Sequence, residues 1–323
     1  MSKNMKSYEI ITEKICSRIQ DAIDNKKSFS WVKPWKGYPT GNYLQYLKNP
    51  TDFYGYRGIN RLILDGGLYL TMKQINDLEE KDGAEYKVRK GSHAEAVYFY
   101  KPKRYEEKDK DGNTVLDEDG NPVIKQYLVF RYYNVFNVAD VEGLDVSIDG
   151  IDTEYDETKL SKKADKIIKA YCKRAGLDFQ QKKGTDKAYY RPATHEVIVP
   201  AKSQFKSLEE YYSTVFHELT HSTCKELGRD VTGNRKTQKY SFEELVAELG
   251  ALFLMQEVGF DTSKTEINST AYLKSWLKVL KDDVSFIVKA STQAQKAHDL
   301  ILDIKMETGE ETTNTEVEKE GVA

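Results

Sequence analysis

The pentapeptide HELTH at residues 217–221 is the feature of this sequence that restricts its fold most strongly. Residues four apart lie on one face of an α-helix, so His217 and His221 can bind one metal ion if this segment is helical. Glu218 then lies beside the ion, where a carboxylate can act as general base for a metal-bound water. The spacing therefore predicts a helix that carries a metal-dependent hydrolytic site.

The side of the helix on which the histidines lie distinguishes a metal site from an ordinary pair of helix residues. A helical wheel puts His217 and His221 opposite the apolar stripe, beside small residues that leave room for an ion. The stripe consists of Tyr212, Val215, Phe216, Leu219 and Thr223. Because the whole chain has only five histidines, a chance pair at this spacing is rare, and the pattern favours metal binding.

The third protein ligand of a catalytic zinc site is predicted in the segment SFEELVAELGALFLMQ at residues 241–256. Glu244 and Glu248 are again four apart and share a face with small residues, which suits a site of two histidines and one glutamate. One carboxylate then binds the ion, and the other orients a ligand histidine through a hydrogen bond. Glu243 lies off this face and is expected to be solvated. Tyr240, just before the helix, is a candidate to stabilise an oxyanion.

Composition and cysteine usage restrict the class of protein and its location. The chain has 39% hydrophobic and 31% charged residues and no apolar run near the ~18 residues that span a bilayer. We therefore expect a soluble cytoplasmic protein without a membrane partner. Its three cysteines are far apart and form neither a disulfide framework nor a paired metal motif. Cys224, one turn beyond His221, is expected to be a half-buried thiol and not a ligand.

The order of helical and strand-like segments predicts an α+β protein of two domains. Residues 1–150 combine a helix at 7–27 with two aromatic-rich strands on either side of an acidic insertion at 106–121, which is expected to be a mobile hairpin. Residues 151–305 are mainly helical, with two short strands in AYYRPATHEVIVP. The helices predicted there are 159–175, 207–227, 241–258 and 270–302. The acidic tail 306–323 is expected to be disordered.

The uneven charge distribution indicates a polyanionic partner for the first domain. The formal net charge of the chain is −3, yet residues 1–105 carry +7. Nine aromatic residues lie between Phe29 and Tyr56 among lysines and arginines, and single-stranded DNA is bound by stacking on rings and by cations along its phosphates. We expect about half of these rings to belong to the core instead. The predicted DNA-binding residues are Trp31, Lys33, Trp35, Lys36, Arg57, Arg61, Arg89 and Lys90.

Motifs in both halves of the chain resemble, in the same order, those of the ArdC-type antirestriction proteins. The motifs are WVKPW at 31–35, YRGIN at 56–60, LTMKQ at 70–74, VRKG at 88–91, VFNVADVEGL at 135–144, HELTH at 217–221, FEELVAELGALFL at 242–254 and AYLKSWLKVLKDD at 271–283. The resemblance extends over roughly residues 5–302. It implies a mobile-element protein with an N-terminal domain that binds single-stranded DNA, a zincin-like metallopeptidase domain, and protection of incoming DNA from host restriction.

The resemblance also implies roles for individual residues. His217 and His221 correspond to zinc ligands, Glu218 corresponds to the catalytic glutamate, and Glu244 corresponds to the third ligand. Glu248 is then the carboxylate that orients a ligand histidine through a hydrogen bond. The strand HEVIVP at 195–200 corresponds to the active-site edge strand of zincins, which can pair with an extended peptide. The acidic insertion at 106–121 lies outside the family's pattern.

Two other functions stay open on the sequence. In the first, the protein only binds single-stranded DNA, and zinc stabilises the fold while Glu218 takes no part. In the second, DNA guides a metalloprotease to a host restriction protein or another DNA-associated protein. A site with three protein ligands and one open position favours catalysis, because a structural zinc ion usually has four protein ligands.

Overall fold

The structure is a computed structural model that describes residues 3–27, 29–31, 40–49, 55–64, 66–144, 155–230, 237–265 and 270–305. The chain divides into two compact units, one of residues 1–156 and 259–292 and the other of residues 157–258 and 293–323. Both units combine helices with a sheet, which confirms the predicted α+β class. None of the helices in the described ranges is both long and apolar enough to cross a bilayer.

The helices are α1 (Lys3–Asp24), α2 (Tyr43–Lys48), α3 (Asn60–Ile63), α4 (Met72–Asp82), α5 (Glu157–Ala175), α6 (Leu208–Ser222), α7 (Cys224–Leu227), α8 (Gln238–Val258), α9 (Thr270–Asp282) and α10 (Phe286–Leu302). The strands are β1 (Gly41–Asn42), β2 (Leu68–Leu70), β3 (Lys87–Val88), β4 (Glu95–Glu106), β5 (Ile124–Asn137), β6 (Val141–Glu142), β7 (Asp178–Lys182), β8 (Tyr189–Arg191) and β9 (Glu196–Pro200).

The first unit contains a four-stranded sheet of order β1–β2–β5–β4 and a two-stranded sheet of β3 and β6. Helix α1 packs against β5 and α9. Its buried stripe includes Ile11, Ile15 and Ile19, as the four-residue repeat of isoleucines predicts. Helix α4 begins with a capping box between Thr71 and Gln74. These contacts give the unit its own hydrophobic core.

The described residues of the segment 259–292 pack within the first unit, although residues 151–305 are predicted to form the second domain. The apolar side of α9, which includes Trp276, is buried, and α9 lies against α1. The hydroxyl of Thr12 on α1 donates a 2.7 Å hydrogen bond to the carbonyl of Val284. Chain order alone does not reveal this return, because the apolar stripe of a helix fits a partner from any part of the sequence. The linker predicted at 143–158 lies mostly outside the described residues.

The helix predicted at 270–302 is two helices. The carboxylate of Asp283 accepts hydrogen bonds from the backbone N–H and the hydroxyl of Ser285, at 2.9 and 2.6 Å. An aspartate that accepts the N–H group two residues later forms a local turn, which competes with a continuous helix. Asp283 therefore separates α9 from α10.

The acidic insertion is a folded extension of the β4–β5 hairpin and not an irregular loop. One carboxylate oxygen of Asp109, and in the same way one of Asp117, accepts the N–H groups two and four residues later at 2.8–3.0 Å. The turn in DKDGN is thus repeated in DEDGN. Backbone hydrogen bonds of 2.8 Å join Glu107, Val115 and Val123 in a closed triangle. The tail 306–323 lies outside the described residues.

The second unit contains a three-stranded sheet of order β7–β9–β8, in which β9 is central. Helix α6, which carries HELTH, packs against β8, β9 and α8. Helix α8 is apolar around most of its circumference and is accordingly buried. The crossing of α6 and α8 positions the candidate site.

Gly250 lies at a close contact between these two helices. A Cβ atom at this position would lie 2.5 Å from Cγ2 and 2.6 Å from Oγ1 of Thr220 on α6. We expect Gly250→Ala to lower the free energy of unfolding by about 1–3 kcal/mol, because overpacking outweighs the helix propensity that alanine gains. Denaturant unfolding measures the change.

Thr220→Ala provides the matched control for this prediction. It removes the two side-chain atoms nearest to the new Cβ, so the double variant is expected to be more stable than the sum of the two single changes predicts. Strictly additive effects would show that the two helices do not meet at Gly250.

Candidate metal centre

Helices α6 and α8 bring three candidate metal ligands together. The ligand atoms of His217, His221 and Glu244 all lie within 4.8 Å of one another. The Nε2 atoms of the two histidines are 3.1 Å apart. The carboxylate oxygens of Glu244 lie 3.8 Å from Nε2 of His217 and 3.6 Å from Nε2 of His221. The three residues singled out in the sequence thus converge on one point.

These separations fit a single tetrahedral ion. Metal–ligand distances of roughly 2.0–2.2 Å place neighbouring donor atoms roughly 3.3–3.6 Å apart. The 3.1 Å between the two Nε2 atoms lies close to that range, and so do the distances of 3.8 Å from Oε2 of Glu244 to His217 and 3.6 Å from Oε1 of Glu244 to His221. The three side chains remain 13–25% exposed. A fourth coordination position is therefore open to water or substrate, as in a catalytic site.

Glu218 lies beside these residues on α6 and is not part of the ligand cluster. Its side chain is 8% exposed. Burial raises the pKa of Glu218 to about 7, against the opposing charge of His221 and a hydrogen bond from the backbone N–H of Tyr190 on β8. A carboxyl group that titrates near neutrality suits a general base.

The pKa values of the two histidines shift in opposite directions. Burial, and then the charge of His221, lowers the pKa of His217 to about 3. Burial also lowers the pKa of His221, but its hydrogen bond to Glu243 and the neighbouring carboxylates outweigh that effect and raise it above the ordinary value. Neutral imidazole is the form that binds a metal. His217 is therefore in the metal-binding form at physiological pH, whereas the carboxylates around His221 favour the protonated ring more than at His217.

The carboxylate that orients His221 is Glu243, which corrects the prediction that Glu243 is solvated. Its Oε1 lies 3.1 Å from Nδ1 of His221, the ring nitrogen outside the ligand cluster. Glu243 is 5% exposed and not solvated, and at His221 it forms the kind of hydrogen bond that was predicted for Glu248 at either His217 or His221. A carboxylate behind a ligand histidine fixes the ring orientation and increases its basicity.

Arg229 completes this network. Its guanidinium donates to both carboxylate oxygens of Glu243, each at 3.0 Å, and also to Oγ1 of Thr223 and the carbonyl of Thr220. Gly228 ends α7 in the left-handed conformation, with φ of 64°, and turns Arg229 back toward the end of α6. Burial alone raises the pKa of Glu243, but the hydrogen bonds from His221 and Arg229 lower it, so the carboxylate stays charged.

The sequence carries a signal for Glu243 that the helical-wheel argument missed. Glu243, Ala247 and Gly250 recur at i, i+4 and i+7, so they share one face of α8. Small residues on that face let α6 approach, as the contact between Gly250 and Thr220 demonstrates. Glu243 therefore faces α6 from the same stripe. Arg229, which lies outside any motif, has no comparable signal.

The remaining residues predicted in the second half lie around the cluster. Tyr240 and Glu248 are half-buried, one turn before and one turn after Glu244 on α8. Their roles stay predictions. Cys224 is more deeply buried than expected, and burial raises the pKa of its thiol. The strand at 195–200 is central β9 and not an edge, so that prediction is wrong, and β8 is the edge strand beside α6.

Only some of the predicted DNA-binding residues are both described by the structure and exposed to solvent. Trp31 is 4% exposed, with its ring edge-on to Phe29 and Trp276, so it is a core residue and not a stacking platform. Arg89 is exposed but lies 3.7 Å from acidic oxygens on both Asp140 and Glu142. Of the others, Arg57 and Arg61 are half-buried, Lys90 is exposed, and Lys33, Trp35 and Lys36 lie outside the described residues.

Comparison with protein families gives the class of both halves. Residues 5–136 match the N-terminal domain of anti-restriction factor ArdC, and residues 163–293 match a zincin-like metallopeptidase. The second match contains α6, α8 and the ligand cluster. The chain is thus a zincin-like metallopeptidase domain preceded by an ArdC N-terminal domain, and a zincin-like fold implies a divalent metal.

Solved structures extend this similarity across both domains. The metal-free crystal structure of the antirestriction protein ArdC from plasmid R388 matches with 29% identity and a TM-score of 0.61, over 92% of this chain and 96% of that one. Its Mn(II)-bound form matches with 28% identity and a TM-score of 0.59, over 92% and 97%. The chain belongs to the ArdC-type antirestriction proteins.

Curated relatives include much longer proteins. Two proteins of Escherichia coli named DNA primase TraC are 30% identical over 308 residues and 29% identical over 303 residues, but the chain spans only 20% and 27% of their lengths. The protein y4eC of Sinorhizobium fredii (strain NBRC 101917 / NGR234) is 28% identical over 302 residues, which cover 90% of each chain.

Proposed function

We propose that this protein protects the DNA of a mobile element from host restriction, binds single-stranded DNA through its first unit and cleaves a protein at a zinc site in its second. The observation that carries the catalytic part is the convergence of His217, His221 and Glu244, with Glu218 beside them and outside the ligand set. Three ligands with an open position favour catalysis over a structural role for the metal.

The residues of the chain have distinct tasks in the proposed hydrolysis. Zinc, when bound, supplies a Lewis acid for the substrate carbonyl and lowers the pKa of water. Glu218 accepts the proton of the attacking water and passes it to the leaving amine. Glu243, held by Arg229, keeps the ring of His221 in its ligand orientation. Tyr240 is the candidate donor to the developing oxyanion.

Zinc is the proposed metal because of the donor set. Two imidazole nitrogens and one carboxylate in a tetrahedral arrangement suit zinc, whereas manganese prefers octahedral coordination by oxygen atoms. The related ArdC of R388 has been crystallised with Mn(II). Both metals therefore belong in the activity measurements.

The binding of single-stranded DNA is inferred from the N-terminal ArdC domain and from the charge of +7 on residues 1–105. The proposed substrate is a host restriction protein or another DNA-associated protein. DNA bound by the first unit brings such a protein near the zinc site. We place this activity in the cytoplasm, where incoming DNA meets restriction enzymes.

The purified full-length protein is expected to bind single-stranded oligonucleotides more tightly than duplexes, with an affinity that falls as salt rises, because binding releases counterions from the phosphates. Incubated with zinc and restriction-enzyme subunits, it is expected to cleave a subunit faster when single-stranded DNA is present. Gel electrophoresis follows cleavage, and fluorescence anisotropy measures binding. Equal affinity for duplex and single strand would contradict the DNA assignment, and cleavage that survives a zinc chelator would contradict the metal assignment.

A further inference from the structure

The β4–β5 hairpin extends as a two-stranded ribbon beyond the four-stranded sheet. The two strands pair from Glu95 with Val135 to Glu106 with Ile124. Strand β2 pairs only with residues 136 and 137 of β5, and β4 is the edge of the sheet. In the outer part of the ribbon, β4 and β5 therefore pair only with each other among the described strands.

One face of this ribbon combines aromatic and cationic side chains. Directly paired residues of antiparallel strands point to the same side, and side chains two apart along β4 share that side at a spacing of roughly 6.4–6.8 Å. The face carries Phe99, Lys101, Lys103 and Tyr105 from β4, with Arg131 opposite Phe99. Phe99 contacts the ring of Tyr133 at 5.6 Å and continues the aromatic core outward. Tyr105 is 47% exposed.

The ribbon is the most uniformly basic part of the described first unit. Segments 99–105 and 125–131 carry five basic residues and no acidic one. Lys103 and Arg131 are exposed, and neither forms an ion pair with another residue in the described ranges. The basic face ends where the folded acidic insertion begins at Glu106, which bounds the path of a polyanion along the ribbon.

We propose that this face of the hairpin is the contact surface for single-stranded DNA. The inference rests on the proposed function and assigns its DNA-binding residues, replacing the buried Trp31. Lys103 and Arg131 neutralise phosphates, and Tyr105 stacks on a base, which are the two contributions that hold single strands without sequence readout. Charge complementarity and the exposed ring of Tyr105 favour a nucleic acid strand as the occupant.

A rival explanation for cations here is protection of an edge strand against aggregation. That role predicts variants that self-associate and bind DNA as the wild type does. Measurements of DNA affinity and of its salt dependence therefore distinguish the two explanations.

The test is the binding of the full-length protein to a labelled oligothymidylate, titrated at several salt concentrations. Lys103→Gln with Arg131→Gln is expected to weaken binding at least tenfold at low salt and to reduce the slope of log K against log salt by about 1.4, or about 0.7 for each lost phosphate contact. Tyr105→Ala is expected to weaken binding about 5- to 150-fold with an unchanged slope, because stacking releases no counterions.

Lys73→Gln with Lys81→Gln is the matched control. It removes the same charge from exposed positions of α4, among acidic residues of that helix. An equal loss of affinity in this control, or wild-type binding by the ribbon variants, overturns the proposal. A wild-type protein that binds no single-stranded DNA overturns the proposed function itself. If the double variant melts at a lower temperature, the single variants supply the same slope test, each with a change of about 0.7.

Discussion

Glu218→Gln is expected to reduce peptidase kcat by about 10²–10⁴-fold, the contribution of a general base, while the bound metal stays at wild-type stoichiometry. Glu218 is buried beside the ligand cluster without belonging to it. Glutamine keeps the shape of the side chain and removes the proton acceptor. Cleavage of a restriction subunit and elemental analysis of the same preparation measure the two properties.

Glu226→Gln on α7 is the matched control, because Glu226 is exposed and follows Glu218 on the adjoining helix. Its activity should equal that of the wild type. Loss of metal from Glu218→Gln would mean that Glu218 is a ligand. Antirestriction that persists without cleavage would favour a protein that protects DNA by binding alone.

Substitutions of the three glutamates on α8 are expected to weaken metal binding to different extents. Glu244→Ala should empty the site, because two histidines on one helix leave the metal with too few ligands. Glu243→Gln should raise the dissociation constant of the metal by about 10–100-fold, as losses behind a ligand do. Glu248→Ala should have the smallest effect, since Glu243 already occupies Nδ1 of His221. Metal titration with a competing chelator ranks the three variants.

Glu243→Gln can weaken metal binding in two ways, by lowering the stability of the protein or by releasing the ring of His221. Arg229 is 6% exposed, and removing its anionic partner is expected to cost about 3–5 kcal/mol of stability. The pair Glu243→Gln and Arg229→Met removes both charges and should recover much of that stability, but not the metal affinity. A Glu248→Ala protein that loses its metal while Glu244→Ala retains it would reverse the assignment.

The ligand positions could be predicted from the sequence because they depend on local geometry. His217 and His221 must share a face once the segment is helical, and the same 3.6-residue period limits the third ligand to Glu244 or Glu248, of which the family resemblance indicates Glu244. The paired strands β4 and β5 follow from their aromatic and β-branched composition. Helix or strand formation is decided within a few residues, so these parts need no knowledge of distant contacts.

Which side of each element is buried was decided only in the tertiary structure. Glu243 faces α6 because Gly250 and Ala247 let the helices cross on that stripe, and Arg229 reaches it through the turn at Gly228. Trp31 is buried because α9 returns to the first unit and places Trp276 against it. The sequence by itself determined which residues can bind a metal. Burial and partnership depend on surfaces far apart in the chain, and only their packing determined which carboxylate supports the site and which aromatic rings reach solvent.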